Sequence, residues 1–197
     1  MSNGSGSAEA DVKNVFQNRV LRPVRVYTAS ASFDGLLTVS LGMRTQDELN
    51  IAARPFLTLA SGSVYSGRSA LAEGTLSISK AAILFAFELP DLGSPLAATT
   101  DGPALGRFAR AVLRLQVGDF AIEGYAHAAQ GGDALSRLNQ MRQPFMALSP
   151  ASLEGAGVKG AMPFVAINRQ HVIAAQEILS IHALPEDPSQ GADPQVA

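Results

Sequence analysis

The chain has 197 residues, room for one ordinary domain or two small ones. Apolar residues make up 47%, which excludes an intrinsically disordered chain, and a formal net charge of −2 gives no basic field of the kind nucleic acid or an anionic membrane selects. There is no Cys, so disulfides and thiolate metal sites are excluded, and the expected compartment is the cytoplasm, at most peripheral to a membrane complex.

Residues 1–10 are Gly/Ser-rich and are expected to form a disordered N-terminus, with neither the basic nor the apolar region of a signal peptide. Residues 11–89 read as a first small barrel with a leading helix. The helix is predicted in "DVKNVFQNRVL", where Val12, Val15, Phe16 and Val20 fall near helical spacing behind Asp11 as N-cap. "PVRVYTAS" alternates Val24 and Val26 with Arg25 and Tyr27, a strand period of two. Gly35 falls inside the next strand, where glycine marks a bulge or sharp bend. "TQDELN" predicts one short helical turn stopped by Asn50 in a left-handed conformation. Pro55 then resets the chain before Phe56, expected to be buried. "TLSIS" and "AAILFAFEL" predict the last two strands. "AAILFAF" is the longest apolar run, and its seven residues fall far short of the ~20 that span a bilayer.

Residues 90–106 form a Pro/Gly linker, and 107–182 read as a second barrel. "LRLQVGDFAIEGYAH" predicts a hairpin turning at Gly118-Asp119. "ALSRLN" predicts another helical turn and "PFMAL" a buried segment. "FVAIN" and "HVIAAQEI" predict the closing strands. Residues 183–197 are expected to be a disordered tail.

The second half repeats the first. "ELNIAARPFLTL" and "RLNQMRQPFMAL" both read Leu-Asn, four variable residues, Pro-Phe, two more, Leu. An offset of 89 aligns Arg25–Leu89 with Arg114–Ile178 without a gap, and thirteen of the 65 pairs are identical. Identities include Gly35/Gly124, Asn50/Asn139, Pro55/Pro144, Phe56/Phe145 and Glu88/Glu177. Elsewhere apolar character persists while identity drifts, as in Val26/Leu115, Phe33/Ile122 and Leu84/Ile173. Cores tolerate such change. The expected fold class is all-β with short helices, as two tandem pseudo-symmetric small β-barrels of about five strands each.

Drawn this way, each unit resembles the Sm-like and SH3-type small barrels. "FVAINRQHVIAAQEI" is similar to the Sm-like closing strand pair, and "LSISKAAILFAFEL" is a degraded copy. "GMRTQDELN…PFLTL" also resembles a family of short uncharacterised bacterial domains with an "R-x-x-D-x-L-N…F-x-x-L" core. The resemblance implies a small barrel with partners. The Sm Arg-Gly pair is missing, since Arg169 precedes Gln170 and Lys80 precedes Ala81, so nucleic acid is not the expected partner.

Motifs with chemical meaning lack their context. "GAGVKG", Gly155 to Gly160, matches a dinucleotide loop but precedes a strand instead of opening a helix, and reads as a hairpin loop. "SISK" places Ser77 and Lys80 on opposite sides of a strand. "RAVLR" holds half of a cyclic-dinucleotide signature in Arg110 and Arg114 without its companion. Arg25 and Arg114 recur at the offset, and so do the acids Asp34 and Glu123, which predicts cross-strand ion pairs. His127, His171 and His182 form no ligand or triad pattern.

The expected function is therefore a non-catalytic protein-interaction module, an accessory or structural subunit of a larger assembly or homo-oligomer. No enzyme activity, catalytic residue, metal or cofactor is expected. Candidate ligand or partner contacts are Arg25, Arg110, Arg114 and Arg169. The alternative is a ligand-binding regulator that takes a cyclic dinucleotide or RNA through these Arg residues.

Overall fold

The computed structural model describes residues 18–67, 71–90, 110–127 and 134–181. The predicted disordered ends, most of the 90–106 linker, His182 and the core of the leading helix lie outside them. The chain is mostly β, in two antiparallel sheets. In the first half the strands are β1 (Arg19–Thr28), β2 (Ala31–Ser40), β3 (Phe56–Gly67), β4 (Gly74–Ser79) and β5 (Ile83–Glu88), with a short helix α1 (Thr45–Leu49) between β2 and β3. The second half gives β6 (Arg110–Val117), β7 (Phe120–His127), α2 (Ala134–Gln140), β8 (Phe145–Leu148), β9 (Ala151–Gly155), β10 (Val158–Met162), β11 (Val165–Asn168) and β12 (Val172–Ile181).

One sheet has seven strands in the order β4-β3-β2-β1-β5-β11-β8, and the other has five in the order β10-β9-β7-β6-β12. The larger sheet therefore draws strands from both halves. Only Ser149 and Pro150 separate β8 from β9. Around them the ladder with β7 continues, as Ser149 N–H donates to Tyr125 C=O and Tyr125 N–H to Pro150 C=O. The two sheets are thus joined through one bent strand path.

Two cores result. Val24, Val26, Leu37, Leu57, Leu59 and Ile83 centre the first; Leu113, Leu115, Ile122, Leu148, Leu153 and Ile167 centre the second. They exchange residues across the halves. Tyr27, Leu84, Phe85 and Phe87 pack into the second core, while Phe145 and Ala166 pack into the first. Tyr27 stacks on Phe85 at 4.6 Å between centroids, and both meet Phe120 edge-on at 5.4 and 4.9 Å. Such geometry adds to simple burial.

Several sequence expectations hold. Gly35 sits at a register shift between β2 and β3, and a Cβ there would lie 2.8 Å from Leu59 Cβ. At Gly124 a Cβ would lie 2.6 Å from Pro150 O. Both are sites of close strand approach at a bend. Gly118-Asp119 forms the β6–β7 turn, and residues 155–160 form the β9–β10 hairpin.

Three expectations need correction. β1 begins at Arg19, so the end of the predicted helix is strand; Val20 also continues the period-two series through Val24 and Val26, and the sheet uses that period. Asn50 is right-handed, at φ −83°, ψ −2°, and its backbone N–H donates to Gln46 C=O at 3.0 Å, which continues the helical turn. Phe145 is buried at 1% exposure, but Phe56 is 56% exposed, because the two sit in different surroundings described below.

Candidate functional site

The described candidate Arg residues are engaged in the fold. Arg25 and Asp34 are register partners on β1 and β2. Arg25 Nε donates to Oδ1 at 2.7 Å and Nη2 to Oδ2 at 2.8 Å. The Arg25 guanidinium lies 3.1 Å from the Tyr65 ring centroid. The Asp34 hydrogen bond raises the Arg25 pKa above its ordinary value against the cost of burial. Arg114 repeats the pairing with Glu123 across β6 and β7, donating to Oε2 at 2.6 and 3.0 Å. Arg169 donates to the carbonyls of Leu138 at 2.6 Å and Gln143 at 2.9 Å. Arg110 lies on β6 opposite His127, with its side chain outside the described residues. Lys80, at the position Arg169 repeats, is buried and donates to the carbonyls of Glu48 and Ile51 at 2.7 and 3.2 Å. Burial lowers its pKa, opposed in part by the Glu48 charge. Lys80 and Arg169 tie the C-terminal end of each short helix to the turn that follows β4 and β11 respectively.

The most elaborate polar contact is the junction of the two halves. β5 and β11 pair there, Phe85 opposite Ile167 and Ala86 opposite Ala166. Beside them the Asn50 side chain reads the Phe145 backbone in both directions. Its Oδ1 accepts from Phe145 N–H at 2.9 Å, and its Nδ2 donates to Phe145 C=O at 3.0 Å. Gln46 Nε2 donates to the same carbonyl at 3.1 Å. Asn168 Nδ2 donates to the carbonyls of Ile83 at 3.0 Å and Lys80 at 3.3 Å. His171 Nε2 lies 2.7 Å from Ala81 O. Ile83 through Phe87 are all buried. Sequence reasoning missed these junction residues, although the recurring Leu-Asn…Pro-Phe motif contains two of them.

Among the described residues β4, β10 and β12 each have a single hydrogen-bonded neighbour, β3, β9 and β6 respectively. Along β12, Ile173 through Gln176 are exposed, with Ile173 at 72%. Along β4, Ser77 is exposed. Beside β4 lies a groove of about 340 Å³, lined by Ala29, Phe33, Leu71, Leu76 and Ile78 and reaching His171. Edges of this kind are templates for added strands. Searched against family models, curated proteins and solved structures, the chain matches none. No helix among the described residues is long and apolar enough to cross a membrane.

Proposed function

We propose that the chain is a non-catalytic protein-interaction module, made of two tandem pseudo-symmetric small barrels and serving as an accessory subunit of a larger assembly. One observation carries this reading. The halves are joined by strand pairing between β5 and β11, and the counterparts of those two strands in the other halves, β12 and β4, present unpaired edges among the described residues with apolar side chains beside them. A module that joins its own halves edge to edge has the means to join partners the same way.

The recurrence of structural contacts at the offset of 89 supports the tandem reading. Lys80 N–H donates to Pro55 C=O, and Arg169 N–H donates to Pro144 C=O. Arg25 pairs with Asp34, and Arg114 with Glu123. These engagements weigh against the ligand-binding alternative, because Arg25, Arg114 and Arg169 already hold acceptors.

Gentle purification of the chain from its source, with mass spectrometry of what accompanies it, tests the proposal. Stoichiometric companions or a stable oligomer are expected. A lone monomer that instead binds a cyclic dinucleotide, with affinity falling steeply as salt rises, would replace the module with the regulator.

A further inference from the structure

The two Leu-Asn…Pro-Phe motifs touch, but only in one combination. Asn50 of the first motif holds Phe145 of the second, and Phe145 is buried in the first core. The reciprocal pair is Asn139 with Phe56. Asn139 is exposed and Phe56 is 56% exposed. The same asymmetry holds along the strands. Leu84 on β5 is buried, with its Cδ1 3.5 Å from where a Cβ of Gly118 would stand. At the offset of 89 its counterpart is Ile173, exposed on β12, and the counterpart of Gly118 is Ala29, which lines the open groove beside β4. Two contacts of the inner junction, Asn50 with Phe145 and Leu84 with Gly118, thus have counterparts with exposed members among the described residues.

We propose that β12 of one copy pairs with β4 of the next, reproducing between chains the junction that β5 and β11 make within one. This rests on the tandem-repeat reading above. The register follows from the inner pairs by subtraction. Ala86–Ala166 becomes Ala175–Ser77 (86 + 89 = 175; 166 − 89 = 77), and Phe85–Ile167 becomes Ala174–Ile78. Ile173 enters the groove beside Ala29, and Asn139 takes the backbone of the next copy's Phe56. The contact is head-to-tail, and a ring built by repeating it leaves neither β4 nor β12 open. The outer junction carries Ala174 and Gln176 where the inner one carries Phe85 and Phe87, so it buries less apolar surface and loosens on dilution.

The absence of native Cys gives a clean test. Residues directly opposite on antiparallel strands lie within disulfide reach. Full-length Ala175→Cys and Ser77→Cys variants, mixed and oxidised, are expected to form a mixed disulfide dimer, with far less product from either variant alone. Native mass spectrometry of the unmodified chain is expected to give a discrete multiple of 20.5 kDa. Ile173→Asp, on an exposed position, is expected to return the mass to the monomer with an unchanged circular dichroism spectrum. Asn139→Ala is expected to weaken association about tenfold, as loss of one buried polar contact does. An oligomer that survives Ile173→Asp and yields no mixed disulfide overturns the pairing. A monomer that retains a different protein through gentle purification overturns self-pairing and leaves the interaction-module reading standing. A monomer that comes alone overturns both.

Discussion

Replacing Asn50 by Ala removes one of the side-chain contacts that tie the halves together. Two hydrogen bonds to Phe145 disappear. The Phe145 carbonyl keeps Gln46, but its N–H loses its acceptor at a residue 1% exposed. A neutral hydrogen bond contributes about 1 kcal/mol net, and a buried donor left unmade costs about 1–3 kcal/mol. The expected loss is roughly 2–4 kcal/mol, which for a chain of this size lowers Tm by roughly 5–15 °C. Thermal unfolding followed by circular dichroism, at a concentration low enough for monomer, reads the effect. Asn139→Ala in the same assay is the control, expected within about 0.5 kcal/mol of the parent because that residue is exposed. Equal effects from the two substitutions, or an Asn50→Ala Tm within about 2 °C of the parent, would refute the assignment of Asn50 to the junction.

Gly124→Ala places a Cβ 2.6 Å from Pro150 O, a backbone atom that cannot swing aside, and is expected to cost about 1–3 kcal/mol by denaturant unfolding. Phe145→Ala should destabilise by about 3–5 kcal/mol, and Phe56→Ala far less in the dilute chain, because only the former leaves a core cavity. The lowered pKa of Lys80 means the unfolded chain binds its proton more tightly. Stability should therefore rise with pH from the lowered pKa up to the ordinary 10.5, a slope that Lys80→Met removes in pH-dependent unfolding. Burial raises the Tyr27 phenol above its ordinary 10, so the folded state holds that proton longer and stability falls above pH 10. Tyr27→Phe should abolish that fall. It should cost little at neutral pH, since the hydroxyl has no hydrogen-bond partner among the described residues.

The repeat was legible because core positions keep volume and polarity while surface positions drift, and a fixed offset exposes that. The Arg25–Asp34 and Arg114–Glu123 pairs were legible because residues nine apart meet across a short hairpin. The junction was not, because its contacts join residues about 85 to 99 positions apart, and local periodicity carries no information on them. A signal did exist. "ILFAF" is apolar at every position, as a strand covered on both faces must be, whereas its counterpart "VIAAQ" is mixed. Run length alone, used only to exclude a membrane span, hid that difference. Phe56 was expected to be buried because its local sequence equals that of Phe145, and local identity does not distinguish a position that meets another half from one that meets none in the same chain.

Amide hydrogen exchange of the full chain, gently purified from its source, tests most directly whether the open edges are used. It reads edge occupancy whatever the partner. If β4 and β12 are joined to another strand in the working protein, their amides should exchange as slowly as those of β5 and β11 and become fast on dilution to monomer. Fast exchange along both strands in the native preparation, beside full protection at β5 and β11, would contradict an interaction module built on these edges.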